Sequence, residues 1–311
     1  MNLRDLEYLV AVADHGHFGQ AAAACFVSQP TLSTQLKKLE GELGTRLVER
    51  GSRHHLLTPT GEQVVERARR MLTDAESIRR VAAQAQDPRS GSLRLGIFPT
   101  LAPYLLPHVM SGVREHFPDL ELLLVEERTP RLLEQLAQGR IDAAVLALPL
   151  EDESLVIEPL FREDFVLAVP SGHRLAQRGA AVSPGVLADE QILLLEDGHC
   201  LRDQALEVCT LAGGSERAGF RATSLETLRH MVATNAGVTL MPVMSVAPPV
   251  TPHPALELVR FRDPAPHRDI ALVSRRSGVH GELLTELADV LRDVPPELVT
   301  PLPEATARRS A

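Results

Sequence analysis

Cysteine occurs three times in this chain of 311 residues, at positions 25, 200 and 209, and the last two are the side chains best placed to do chemistry. Cys200 sits in the run Leu195-Glu196-Asp197-Gly198-His199-Cys200-Leu201-Arg202-Asp203. A thiol attacks an oxidant only as its thiolate, so an attacking cysteine needs a pKa held below the usual value. The local residues offer means for that. Asp197-Gly198 ends a strand and starts a helix, which puts Cys200 at a helix N-terminus, where backbone amides and the macrodipole favour an anion. His199 and Arg202 add donors nearby. Cys209 lies among Leu206, Val208, Leu211 and Ala212, an apolar setting that raises a thiol's pKa and keeps it waiting. Cys25, between Ala24 and Phe26, reads as packing volume. So few cysteines in so long a chain make no disulfide framework, and any disulfide here is functional rather than structural. The histidines at 15, 17, 54 and 55 lack companion cysteines at zinc spacing, so no metal and no cofactor are expected.

These residues need a scaffold, and length suggests more than one domain. A hydrophobic fraction of 44% and a charged fraction of 23% are those of a globular protein. No apolar run approaches the roughly 18 residues of a membrane helix, and the start MNLRDLEYLV lacks the basic region and cleavage site of a signal peptide, so the cytoplasm is the expected compartment. The net charge of −9 looks wrong for a nucleic-acid binder. Its distribution removes the objection: residues 1–87 hold 11 basic and 11 acidic side chains, so the acidic excess lies wholly beyond them.

Residues 1–60 predict short helices and a wing. Leu3, Leu6, Leu9, Val10 and Ala13 recur at helical spacing up to Gly16, and Phe18-Gly19-Gln20-Ala21-Ala22-Ala23-Ala24 forms a second helix able to pack closely. Ser28 then caps a third, with Pro30 in its first turn and Leu32, Leu36, Leu39 and Leu43 on one face up to Gly44. This spacing matches a helix-turn-helix whose last helix enters the major groove. The candidate DNA contacts on it are Gln29, Pro30, Thr31, Ser33, Thr34, Gln35 and Lys38. Arg46 to Thr58 predicts two short strands around a Gly-Ser turn that carries Arg50 and Arg53, with His54-His55 as a further phosphate contact. From Pro59 to about Gln86 a long helix places Val64, Ala68, Met71, Ala75, Ile78 and Ala82 in a heptad seam. Such a seam is buried either by a second protomer or by the rest of its own chain.

Turn formers at Asp87-Pro88-Arg89-Ser90-Gly91-Ser92 mark a hinge. Beyond it, apolar runs at 93–98, 122–125, 143–147, 165–169, 192–195, 238–241 and 270–273 alternate with helical patterns, which predicts an α/β domain with largely parallel sheets. The Pro-rich end after Pro295 is expected to fray.

The order of an alanine-rich helix, SQPTLSTQLKKLEGELGTRLVERGSR and LTPTG resembles the LysR family of bacterial transcription regulators over about the first sixty positions. The segment around Cys200, with Phe98-Pro99-Thr100, Pro103-Tyr104-Leu105-Leu106-Pro107 and 220–229, is similar to the peroxide-sensing members of that family. The resemblance implies an α/β protein with an N-terminal all-α winged helix-turn-helix (1–60), a long dimerising linker helix (61–87) and a two-lobed sensor domain like periplasmic binding proteins (88–300). It places lobe one at about 90–163 and 268–295, lobe two at about 164–267, and a flexible tail at 301–311. It implies double-stranded DNA, RNA polymerase and a second or further copies of the chain, as homodimer or tetramer, as partners, with hydrogen peroxide as the signal. It also implies that Cys200 is the peroxide-reactive cysteine, that Cys209 resolves it in an intramolecular disulfide, and that Thr100, Thr129, His199 and Arg268 form the peroxide pocket. Each of these has a plainer reading: an N-cap for Thr100 or Thr129, which is expected to cap a helix beginning at Pro130, a satisfied loop histidine for His199, a strand-edge ion pair for Arg268.

If residues 201–212 are helical before oxidation, nine residues at helical rise separate the two cysteine Cα atoms by about 13 Å. A disulfide needs about 4.4–6.8 Å. Bond formation must then unwind the helix and alter the surface it packs on. Two other functions fit parts of the pattern. A regulator of the same family could bind a small metabolite while its cysteines idle. An enzyme, a thiol peroxidase, could cycle the same pair, but it would have no need of a helix-turn-helix, and the chain is expected not to be an enzyme.

Overall fold

The computed structural model describes residues 1–49, 57–84, 91–213, 215–216, 221–278 and 280–302. It divides into two compact units, Met1–Gln86 and Asp87–Ala311. The first holds α1 (Leu3–His15), α2 (Phe18–Ala24), α3 (Gln29–Leu43) and α4 (Pro59–Gln84). Asn2 and Asp5 form a reciprocal capping box at the start of α1, and Gly16 closes it at φ 61°. Ser28 caps α3 by accepting from the Thr31 amide at 3.3 Å. The apolar faces of these helices meet in one core built on Tyr8, Leu9, Val12, Ala21, Ala22, Leu32, Leu36 and Leu39. Leu3 and Leu43, expected on those faces, are exposed at the outer ends of their helices. A bridge between Val48 and Leu57 begins the wing; Arg50, Arg53, His54 and His55 lie outside the described residues.

The heptad seam of α4 is divided. Ala68 is buried and Val64 half-buried where α4 lies against α1, together with buried Val65. Met71 and Ile78 further along are 45% and 70% exposed. Own-chain packing thus covers the first part of the seam and leaves Met71 and Ile78 open with half-buried Ala75 between them, while Ala82 lies outside the described side chains.

The second unit contains, in chain order, β1 (Gly91–Ile97), α5 (Ala102–His116), β2 (Leu120–Glu126), α6 (Thr129–Ala137), β3 (Ala143–Ala147), β4 (Leu155–Pro170), β5 (Gln191–Ile192), α7 (Cys200–Ala212), β6 (Ser215–Glu216), α8 (Leu225–Ala233), β7 (Thr239–Pro242), β8 (Leu256–Arg260), β9 (His267–Arg275), α9 (Gly281–Arg292) and β10 (Thr300–Pro301). The main sheet runs β10-β4-β9-β3-β1-β2, and the far end of β4 also pairs with β7 and β8. Only β1 with β2 and β1 with β3 are parallel there; every pairing of β4 and β9 is antiparallel. The expectation of largely parallel sheets is therefore corrected to a mixed sheet. The reason is topological: β4 leads the chain out of the first half and β9 brings it back, so the two run in opposite senses.

Apolar runs became strands where neighbours flank them. Ala143–Ala147 is paired on both edges, by β1 and β9, and is buried at every position, as a strand covered on both faces is. Gly96 lets α6 close on β1, since a Cβ there would lie 2.6 Å from Leu132 Cδ2. The run 192–195, expected as a full strand, is buried throughout but pairs only at Gln191–Ile192 and by a single bridge at Leu195. At the other end of the domain Thr300 and Pro301 pair with β4, so the chain stays engaged into the segment expected to fray.

Candidate functional site

The site is built at the N-terminal end of α7. Gly198 takes φ +91°, a conformation glycine adopts without penalty, and turns the chain into the helix. His199 comes next, at the N-cap with extended backbone, and Cys200 is the first helical residue. Four segments far apart in sequence reach this point. Thr100 comes from the turn after β1, Thr129 from the first turn of α6, Arg268 from β9, and Glu163 from β4 directly across from Arg268 in the ladder.

Arg268 and Glu163 are buried, the side chains of both wholly so. The Arg268 Nε donates to Glu163 Oε2 at 2.8 Å, Nη1 donates to the Thr100 hydroxyl at 3.1 Å, and Nη2 donates to the Thr100 carbonyl at 3.0 Å. Glu163 Oε1 accepts from the Met244 amide at 2.9 Å. The guanidinium also lies over the Phe98 ring, 5.2 Å from its centroid. Burial pushes the Glu163 carboxyl up and Arg268 pulls it down. With a guanidinium and an amide aimed at its oxygens, we hold it to be ionised. Glu163 goes unremarked in the sequence because its partner lies 105 residues away and Phe161-Arg162-Glu163-Asp164 reads as an ordinary charged stretch.

Burial is the largest influence on the Cys200 thiol and pushes its pKa up. Opposing it, in descending order, are the Arg268 charge, the Thr129 hydroxyl, the Leu201 amide and the Thr100 hydroxyl. The expectation of a depressed thiol at a helix start is corrected: the helix end and its donors are present, but removal from water outweighs them. Arg202 is not among those donors. It is nearly buried and turned back, with Nη1 donating to the Leu195 carbonyl at 3.0 Å and Nε 2.9 Å from Asp197. Arg268 supplies the positive charge instead.

Thr129, expected to cap a helix beginning at Pro130, is instead the first helical residue, the cap being Arg128. Its hydroxyl is buried and meets no partner of full hydrogen-bond geometry, although it lies near enough to Cys200 to favour the thiolate. His199 is buried, its Nε2 also without a partner, and its pKa is lowered by burial first and then by the charge of Arg128. It is neutral at neutral pH. Arg128 pairs with Glu196 and donates to the Asp197 carbonyl at 3.2 Å, tying α6 to the loop before Cys200.

At the far end of the same helix Cys209 is 2% exposed, and burial alone pushes its thiol up to about 11. Both cysteines are free. The helix separates their Cα atoms by about 13 Å.

In the first unit, Gln29, Pro30, Thr31, Thr34 and Lys38 are exposed on α3, whereas Ser33 and Gln35 are half-buried. The Thr34 hydroxyl donates to the Pro30 carbonyl at 2.8 Å, and those of Ser28 and Thr31 are 2.7 Å apart. Among the described residues, no helix is long and apolar enough to cross a membrane and no three metal-ligating side chains gather.

Two family models match the chain: a bacterial regulatory helix-turn-helix of the LysR family over residues 3–62, and a LysR substrate binding domain over residues 86–296. The Escherichia coli DNA-binding transcriptional dual regulator OxyR is 46% identical over 292 residues, covering 94% of this chain and 95% of the relative. A full-length OxyR variant from Pseudomonas aeruginosa superposes with a TM-score of 0.73 at 36% identity, over 94% of this chain and 98% of its own. A hydrogen-peroxide-bound OxyR mutant from Corynebacterium glutamicum gives 0.65 at 38% identity, over 94% and 91%.

Proposed function

From a chain that belongs to the LysR family, among its OxyR-type peroxide-sensing transcription regulators, we propose a switch carried by this chain's own Cys200 and Cys209. The Cys200 thiolate attacks one oxygen of hydrogen peroxide, the O–O bond breaks, and the departing hydroxide takes up a proton and leaves as water. Sulfur is oxidised to the sulfenic acid. The Cys209 sulfur then attacks it, an S–S bond forms, and the second water leaves. Two thiols and one peroxide give one disulfide and two waters.

The observation that carries this reading is the unequal furnishing of α7. Thr100, Thr129 and Arg268 gather at Cys200, where two hydroxyls can hold the peroxide oxygens and a buried cation favours both the thiolate and the developing hydroxide. The partnerless Thr129 hydroxyl is free for that task. Cys209 has no such company and stands out of reach in the helix. Oxidation must therefore unwind α7, and the changed surface alters how the chain engages DNA and RNA polymerase. The exposed Met71 and Ile78 on α4 support assembly through that helix with a second copy.

Hydrogen exchange over 198–212, with the linkage verified by mass spectrometry of tryptic peptides, tests the mechanism. Protection is expected to fall when the disulfide forms. Equal protection in both states would mean that the sulfurs were already adjacent and that no refolding occurs.

A further inference from the structure

The turn between α2 and α3 carries a side chain that the reading of the DNA-binding unit has not used. Phe26 is 94% exposed, more than any other large apolar residue described in the chain. Its backbone is left-handed, at φ 56°; among the described residues only Asn235 shares this without being glycine. Asparagine visits that region routinely, a bulky aromatic rarely.

The hydrogen bonds explain the conformation. The Val27 amide donates to the Ala22 carbonyl at 3.0 Å and the Phe26 amide to the Ala23 carbonyl at 3.1 Å. With Cys25 as the C-cap, these are the two bonds of a Schellman ending, and Phe26 occupies the position that favours glycine. The chain thus spends stability twice at one residue, on a strained backbone and on a ring left in water, and nothing in the unit's core gains from it. Two positions further on, the DNA-reading end of α3 begins: Ser28, then exposed Gln29, Pro30 and Thr31. In a helix-turn-helix, that end enters the major groove, so the residue just ahead of it stands at the groove wall.

We propose that Phe26 is a DNA-binding residue whose ring packs on the apolar part of the groove wall beside the bases met by α3. The apolar groups available there are the thymine C5-methyl and the deoxyribose carbons. The proposal rests on the helix-turn-helix reading of residues 3–62 and is independent of the cysteines.

The test uses the full-length protein and a duplex selected by the wild type from a random-sequence library. If the wild type enriches no duplex, the DNA-binding reading itself fails, and this proposal with it. Phe26→Gly is expected to raise the melting temperature of the DNA-binding unit by roughly 4 °C, because strain is relieved, and yet to weaken binding about 10-fold. The salt dependence of binding should stay unchanged, since no phosphate contact is lost. Phe26→Ala should also bind weakly but without the gain in stability. Replacing thymines by uracil distinguishes the two apolar groups: a loss at one position in the wild type, absent in Phe26→Gly, identifies the methyl, and no loss at any position identifies deoxyribose. Unchanged affinity in Phe26→Gly would overturn the proposal. So would weaker binding accompanied by a lower melting temperature, which would mean that the ring supports the fold.

Discussion

The two ends of α7 bear the same functional group in opposite surroundings. At the first turn, the Cys200 thiol faces a buried guanidinium and two hydroxyls, all brought from other segments of the chain. Near the last turn, the Cys209 thiol is set in hydrocarbon and feels only its removal from water. Both thiols are raised, but only one is raised against resistance. Reactivity is therefore a property imported to Cys200 through tertiary structure. On the proposed mechanism, Cys209 becomes competent only when the helix that isolates it has come apart.

The strongest way to break this comparison is to remove each sulfur in turn. Cys200→Ser is expected to abolish peroxide consumption and leave the chain in its reduced form under oxidant. Cys209→Ser should still react at Cys200 and stop at the sulfenic acid or beyond it, with no intramolecular disulfide by mass. Peroxide consumption by Cys200→Ser at the wild-type rate would reverse the assignment of the two ends.

A smaller but more telling effect is expected from Glu163→Gln. Removing one partner of a buried ion pair costs about 3–5 kcal/mol, read as a lowered melting temperature. The same change frees the Arg268 charge to act on Cys200, so the thiol pKa should fall and peroxide reaction at neutral pH should quicken. In the wild type, by contrast, the raised thiol makes the rate climb with pH through neutrality and past the ordinary thiol range. A profile already level at pH 7 would show that the thiolate is the resting form. The ultraviolet absorbance of the thiolate, measured in both proteins, separates a charge effect from a loss of packing.

That Glu163 enters only with the structure marks where reading the chain stops. Cys200 stands in a local run whose residue types suggest chemistry, whereas Thr129 and Arg268 enter the sequence reading only through the family resemblance. The meeting of Arg268 with Glu163 depends on the register of β4 against β9, which no local pattern encodes. The direction of the Cys200 shift has the same origin: helix start and neighbouring donors are visible along the chain, whereas depth of burial is not. The alternation of strands and helices is legible from 93 to 273. The sense of β4 and β9 is not, because direction is decided by the order in which the chain leaves and re-enters the sheet. In the first unit, the caps at Ser28 and Gly44 and the apolar face of α3 are local and readable as such.

The smallest expected effect sharpens the comparison from between its two ends. Glu207 is exposed midway along α7. Glu207→Gly should weaken the helix by about 0.7 kcal/mol. Since the cost falls only on the helical, reduced form, the disulfide should become harder to reduce by ~15 mV. An unchanged potential would mean that the helix survives oxidation.

β4 gives the sensor a mechanical character of its own. It pairs with β9 from Leu155 and with β8 as far as Pro170, with an irregularity between Pro159 and Phe161, and so serves as a beam common to both parts of the domain. A receptor that reports by closing its jaws has to flex such a beam. Rewriting α7 asks nothing of it. If α7 is rewritten as proposed, the message takes the form of changed relief on one patch, which an antibody raised against 198–212 would tell apart.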